Sequence, residues 1–448
     1  MKKLGTFFLF GLIAATALFA ALSPADAAVG VKRVTSPSGI EAWLVEDHSV
    51  PVLSLQFAFR GGAALDPKGK EGLAELASDT LDEGAGDLDS QTFQGREQDL
   101  GAQISFSAGA DNFQGSLFVL TNRRDDATHL LNLALSAPRF DAEAVDRVKS
   151  QLLAQLSQAE ESPRALVREN FAKLMFGDHP YARRTSGTVD GVKAITQDDL
   201  RNFVKTRFSR DHLVVTVVGD ITEPDLAALL DRTFGNLPAT GGPFEIPDAK
   251  INDRGQILVI DKNIPQSTVN FGQVGIRKDD PDIYAALVMN YVLGGGSFSS
   301  RLMVEVRDKR GLAYSIGTGL AAYDHAGYLS GSVGSRNDGV AESISLIRAE
   351  WEKMRDKGAT AAEVKDAKSY LTGSYLTGIG SSSALAGILL GYRLDGRPID
   401  YMEGRNALID KVTVADVNRV AKQLLKPDQL IFVVVGQPKG VTTTAPTP

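Results

Sequence analysis

Cysteine is absent from this 448-residue chain. Disulfides, thiolate metal sites and cysteine nucleophiles are therefore excluded. Histidine is scarce, with only His48, His129, His179, His212 and His325. No two of them stand three to five positions apart, so neither H-E-x-x-H nor H-x-x-E-H occurs. All five read as surface or structural histidines. There is no G-x-S-x-G and no G-x-x-x-x-G-K-[ST], and the run Gly294-Gly295-Gly296 lacks the lysine that a phosphate cradle wants. Past residue 30 no apolar run is long enough to span a bilayer. Basic patches are missing as well. With a net charge of −7, the chain is a poor nucleic-acid binder.

What is present begins with an unusual first segment. Lys2 and Lys3 precede a nearly continuous apolar run, Leu4–Leu22, which leads to the small-residue site Ala25-Asp26-Ala27. That layout predicts a secretory signal over residues 1–28, a periplasmic destination, and no stable membrane span after cleavage. The alternative is that the segment stays as an anchor. Hydrophobic content of 43% and charged content of 23% are ordinary for a globular protein. The length calls for more than one core.

An internal repeat organises the remainder. Ile195–Gly219, ITQDDLRNFVKTRFSRDHLVVTVVG, aligns without a gap to Val412–Gly436, VTVADVNRVAKQLLKPDQLIFVVVG. Thr196 and Asp199, like Thr413 and Asp416, have capping-box spacing. An amphipathic helix, a charged turn and a continuous apolar strand ending in glycine follow in both copies. Two homologous halves result, over 29–238 and 256–438, joined by the Gly/Pro-rich linker 239–255 and followed by a Thr/Pro-rich tail, 439–448, expected to be disordered. Strands are expected near 42–45, 52–59, 102–108, 115–120, 314–319 and 327–333. Helices are expected near 70–82, 141–174 with a break at Ser162-Pro163, 281–293, 301–310 and 340–356. This mixture predicts an α+β fold of two α/β-sandwich halves, each an antiparallel sheet packed with helices.

Two segments carry chemistry by resemblance. Gly72-Leu-Ala-Glu-Leu-Ala-Ser-Asp-Thr80 resembles the G-L-A-H-x-x-E-H-M helix of the inverted-zincin peptidases, the pitrilysin and insulin-degrading-enzyme family. In that family the two histidines bind zinc and the glutamate activates water. The resemblance places Glu75 and Asp79 at the histidine positions, Ser78 at the glutamate, and Gln155 at the third ligand, a glutamate farther along the chain. Two carboxylates, a hydroxyl and an amide are a poor zinc set. No metal is expected in this chain, and residues 75–79 read as a polar face opposite Leu73, Leu76, Ala77 and Leu81. A third possibility is an independent hydrolase holding another metal on Glu75 and Asp79.

The second segment, GGGSFSSRLMVEVRDKRGLAYSIGTG from Gly294 to Gly319, resembles the family's other active-site element. There an arginine and a tyrosine seven residues apart reach the substrate at the zinc. The match assigns these roles to Arg307 and Tyr314, and makes Gly294, Gly295 and Gly296 substrate-contact positions. Such a pair can hold a peptide carbonyl and donate to a developing oxyanion. The resemblance further implies a zinc-less subunit of the two-chain type related to mitochondrial processing peptidase. It would pair with a zinc-bearing H-x-x-E-H paralogue and act on peptides. The edge near Ile104–Ala108 is a possible site for pairing with an extended substrate. The competing expectation is a non-enzymatic peptide-binding or assembly scaffold of the same fold.

Overall fold

The computed structural model describes residues 30–445. Residues 1–28, expected as the signal, lie outside the described residues, as do the last three of the tail. No helix among the described residues is long and apolar enough to cross a membrane.

The first half contains β1 (Lys32–Thr35), β2 (Glu41–Glu46), β3 (Val52–Arg60), α1 (Leu73–Ser78), α2 (Ser90–Leu100), β4 (Gln103–Ala108), β5 (Asn112–Leu120), α3 (Arg124–Ser136), α4 (Ala142–Glu161), α5 (Pro163–Phe176), α6 (Val189–Ala194), α7 (Gln197–Arg207), β6 (Leu213–Gly219) and α8 (Glu223–Phe234). The second half contains β7 (Ile257–Asp261), β8 (Gln266–Val274), α9 (Ile283–Asn290), β9 (Ala313–Ala322), β10 (Gly327–Arg336), α10 (Val340–Lys357), α11 (Ala361–Gly373), α12 (Ser382–Leu394), α13 (Tyr401–Asp410), α14 (Val414–Leu424) and β11 (Ile431–Gly436). The first sheet has the order β1-β2-β6-β3-β5-β4, the second β7-β11-β8-β10-β9. Strand for strand the second repeats the first without β1. Each sheet is antiparallel except for one parallel pair, β2 with β6 and β7 with β11. The repeat seen in the sequence is thus the α7-β6 and α14-β11 unit. Both capping boxes form, with Thr196 and Asp199, and Thr413 and Asp416, bonding reciprocally.

Both strands of that repeat, LVVTVVG and IFVVVG, are almost wholly buried. One face lies on the core of its own half, where Val215 and Val217 pack with Phe57 and Phe234, and Phe432 and Val434 with Phe271 and Trp351. The other face is covered by a helix from the opposite half. α12 lies on β3 and β6, with Leu385, Ala386 and Leu389 against Trp43, Val45 and Val218. α5 lies on β8 and β11, with Val167, Phe171 and Met175 against Ile431, Val433 and Val435. Polar groups on these faces find partners across the exchange. Thr216 donates to the Ala386 carbonyl at 2.8 Å, and Arg393 donates to the Val215 carbonyl at 2.6 Å and to Glu41 at 2.8 Å. The halves therefore interlock by trading one helix each. Every fully buried Leu or Phe in the exchange contributes roughly 1.5–3 kcal/mol.

Local chemistry explains where elements end. The long helix expected over 141–174 divides at Ser162, whose hydroxyl caps α5 while Pro163 occupies its first turn. The helix expected over 70–82 is shorter, because Gly72 enters it at φ 103° and regular turns stop at Ser78. The segment 236–256 carries no helix or strand, yet it is tied down. The Asn252 N–H bonds the Met175 carbonyl at 2.8 Å, and the Ala249 N–H bonds that of His325 at 2.9 Å. Of the tail expected to be disordered, Thr443–Ala445 instead run along β7, and the Lys439 N–H bonds the Asn337 carbonyl at 2.8 Å. The Thr444 N–H donates to the Ile257 carbonyl at 2.7 Å, while the Thr444 and Thr443 hydroxyls accept from the Ile257 and Val259 N–H groups at 2.9 Å. The threonines thus satisfy an edge that β1 covers in the first sheet.

Candidate functional site

In the first half, α1 packs against the edge strand β4 and against α4. Leu73, Ala74, Leu76 and Ala77 face the core. The remaining face carries Glu75, Ser78 and, at its end, Asp79, the positions of the family's zinc-helix ligands and base. Ser78 is buried, and its hydroxyl donates to the Glu75 carbonyl at 2.7 Å, one turn back in its own helix. Asp79 caps the exposed end, and Gln155 lies on the exposed face of α4. Glu75 is half-buried. Burial, with Asp79 and Asp66 nearby, pushes its carboxyl up to about 7. Asp66 is buried beneath the start of α1 and is also pushed up to about 7 by desolvation, although the Gly72 and Ala74 N–H groups donate to it. Asp82 follows the same pattern at about 6. These residues do not fit zinc. They offer no imidazole, burial raises the Glu75 and Asp79 carboxyls, and the hydroxyl is spent on backbone. Among the described residues no group of three or more His, Asp or Glu is arranged to hold a metal ion.

The second half is built differently at the corresponding sheet edge. After α9 the chain forms a π-helical turn, Tyr291–Gly295, a tight turn at Ser297–Ser299, and a second π-helical turn, Met303–Asp308, before entering the edge strand β9. Such π turns recur at functional sites. The regular helix expected over 301–310 is thus replaced by this wider turn. Leu293, Leu302, Met303 and Val306 anchor it in the core. Arg301 fixes it laterally, with two bonds to Glu363 at 2.7 and 2.8 Å and one to the Gly358 carbonyl at 2.9 Å. The hydrogen bonds from Arg301 hold the Glu363 carboxyl down at about 2.

Arg307 and Tyr314 stand together on this frame. Gly311, at φ 60°, turns the chain, and its N–H bonds the Arg307 carbonyl at 2.8 Å. The register of β9 against β10 then slips between Ala313 and Ile316. A bulge of this kind re-aims a side chain, and Tyr314 within it is 87% exposed. The Arg307 guanidinium lies 5.8 Å from the centre of the Tyr314 ring and 4.8 Å from that of Phe298. Its neighbours in the sequence are neutralised. Glu305 takes Lys309 at 2.6 Å and Arg310 at 2.7 Å. Arg307 has only an exposed contact to the adjacent Asp308, at 3.4 Å. Most of its five N–H donors remain available for a ligand. An available planar cation beside an available phenol can grip one carbonyl and donate to another.

The three glycines have packing reasons of their own. A Cβ on Gly294 would sit 2.5 Å from the Thr318 hydroxyl, on Gly295 2.6 Å from the Asn290 amide, and on Gly296 2.7 Å from the Tyr291 carbonyl. Gly295 alone of the three is exposed. Phe298 was not singled out from the sequence. It lies inside the quoted Gly-rich motif, and an aromatic there among serines was the available signal. Two of the histidines have acidic partners, His48 with Asp220 at 2.6 Å and His325 with Asp248 at 3.2 Å.

Comparison with known proteins agrees with this architecture. A family model described as the peptidase M16 inactive domain matches residues 194–371. A non-peptidase homologue, YmxG, from Helicobacter pylori is 29% identical over 395 residues, covering 88% of this chain and 91% of that protein. A probable mitochondrial-processing peptidase subunit beta from Schizosaccharomyces pombe is 24% identical over 341 residues, 71% of this chain and 72% of that one. The crystal structure of a peptidase M16 inactive domain from Pseudomonas fluorescens superposes with a TM-score of 0.84 at 26% identity, covering 94% of this chain and all of that one. Fold and matches define a peptidase-type α+β protein of two homologous halves. The chain is similar over most of its length to proteins of the pitrilysin, or M16, peptidase family, and it lacks the H-x-x-E-H motif.

Proposed function

We propose that this chain is the zinc-less subunit of a two-chain metallopeptidase, carried to the periplasm by residues 1–28, and that Arg307 and Tyr314 complete the active site of a zinc-bearing H-x-x-E-H partner. The observation that carries the reading is the outward-facing pair. Tyr314 is 87% exposed and Arg307 is left with spare donors, although every other cation of its segment is paired. The partner would supply the zinc and the water it activates. This chain's part is electrostatic. The Tyr314 hydroxyl donates to the peptide oxygen as negative charge builds on it. Arg307 holds a neighbouring carbonyl of the extended substrate and so fixes its path past the exposed Gly295. A relative carrying the name of a processing-peptidase subunit supports the two-chain arrangement.

The test is hydrolysis of a quenched fluorescent, unfolded peptide by this chain, by a zinc-bearing paralogue, and by the two mixed. Activity confined to the mixture and abolished by chelator is expected. Activity of this chain alone would overturn the reading. A relative named as a non-peptidase homologue favours the second reading, a peptide-binding scaffold. Silence in every mixture with retained peptide binding would select it.

A further inference from the structure

Phe298 is a large aromatic left 65% exposed, and it is not on a loose loop. Ser300 and Leu302 beside it are buried, and the Ser299 hydroxyl bonds the Gly296 carbonyl at 2.9 Å. Ser297, the residue before it, sits at φ 49°. A non-glycine residue in the left-handed region is uncommon, and such strain gathers where the surroundings hold a functional geometry. The strained turn delivers the Phe298 ring to 4.8 Å from the Arg307 guanidinium, on a π-helical turn whose neighbouring basic residues are bound to Glu305. Tyr314 approaches the same guanidinium at 5.8 Å. Stacking on a ring face orients a guanidinium without using its N–H donors, which a carboxylate partner would occupy.

We propose that Phe298 is a positioning residue: its ring holds the Arg307 guanidinium in the plane from which it meets substrate, and the strained turn at Ser297 exists to place that ring. The proposal rests on the role given to Arg307 above. Phe298 itself touches no reacting atom. Its removal acts through Arg307 and lowers kcat more than it raises KM.

The experiment pairs kinetics of the reconstituted complex with nuclear magnetic resonance of this chain alone, labelled with 15N at arginine. Phe298→Ala is expected to lower kcat about tenfold with KM changed less than twofold. Phe298→Trp, which keeps a ring face, restores kcat to within twofold, and Phe298→Leu, which keeps only apolar bulk, does not. In an Arg307→Ala background Phe298→Ala costs nothing further. The Arg307 Nε–H signal carries a ring-current shift that Phe298→Leu removes. Equal losses in both backgrounds, rescue by Leu as good as by Trp, or an Nε–H signal indifferent to Phe298 would each overturn the proposal while leaving the Arg307 role standing. A harmless Arg307→Ala would instead overturn the proposed function, and this inference with it. Loss of subunit association on Phe298→Ala, with the turnover of assembled complex unchanged, would make the ring a subunit contact and refute the positioning role.

Discussion

The two halves share a strand order and a helix plan, but they treat the corner beside their edge strands in opposite ways. In the first half, the polar groups at and around α1 are drawn into the fold: Ser78 bonds its own helix, and burial pushes the Asp66, Glu75 and Asp82 carboxyls up. In the second, the π-helical turn pairs its surplus charge internally and leaves Arg307, Tyr314 and Phe298 facing solvent. A duplicated scaffold keeps its cores under similar packing demands, since the central strands β6 and β11 are buried on both faces. The edge corners escape that demand, so their surface residues can diverge independently. Exposed aromatic and cationic groups distinguish the second corner from the first.

The comparison would break most visibly at Tyr314. In the reconstituted complex Tyr314→Phe should lower kcat by about 10²–10³-fold, the loss typical of one oxyanion donor. Subunit assembly, followed by sedimentation, should be unchanged, because an exposed hydroxyl supports no packing. If Ser78→Ala, in the other corner, lowered turnover as much, the asymmetry between the corners would be gone.

A second test asks whether the halves are separable at all. Leu389 comes from the second half and is fully buried against Trp43 and Val218 of the first. Leu389→Ala should cost about 2–5 kcal/mol. Thermal unfolding followed by tryptophan fluorescence should show both halves destabilised together, since Trp43 and Trp351 report on different sheets. Two separated transitions, with only Trp43 shifted, would show that the exchange does not couple them.

Gly294 sharpens the comparison within the second corner. A methyl there meets Thr318 at 2.5 Å and Leu302 at 2.9 Å. Gly294→Ala should destabilise by about 1–3 kcal/mol through overpacking. If denaturant unfolding shows no loss while peptide affinity falls, the glycine serves substrate and not packing.

The sequence made the duplication legible because the α7-β6 and α14-β11 units bury both strand faces, and burial on two sides leaves a continuous apolar run that survives divergence. The capping boxes were legible for a similar reason, since one hydroxyl and one carboxylate three positions apart have few other uses. Arg307 and Tyr314 could be located by motif, but their exposure could not. It depends on a bulge between Ala313 and Ile316 and on the pairing of Lys309 and Arg310 with Glu305. The exchange of α5 and α12 was invisible because an amphipathic helix announces that it has an apolar face, not which sheet it covers. The Thr-rich tail misled for the converse reason. Its composition lacks apolar bulk, but its hydroxyls suit it to bonding the open edge of β7.

The smallest expected effect lies in the first corner and concerns pH. Glu75 is half-buried beside Asp79, with its carboxyl raised to about 7 in the folded chain. A carboxyl whose pKa rises on folding keeps its proton more firmly in the native state. Its contribution favours folding below the unfolded value near 4, weakens between about 4 and 7, and is flat above. Ionisation of Glu75 therefore costs stability as pH climbs through that window. Glu75→Gln removes the ionisation and keeps the shape. Solvent reaching the half-buried group reduces the effect, so a gain of about 1 kcal/mol at pH 8 and almost none at pH 4 is expected, read as the difference in urea midpoints. A gain of equal size at both pH values would mean that the amide packs better and that charge is not the cause. A loss at pH 8 would mean that the Glu75 carboxylate has a cationic partner, and that the first corner is less silent than its geometry indicates.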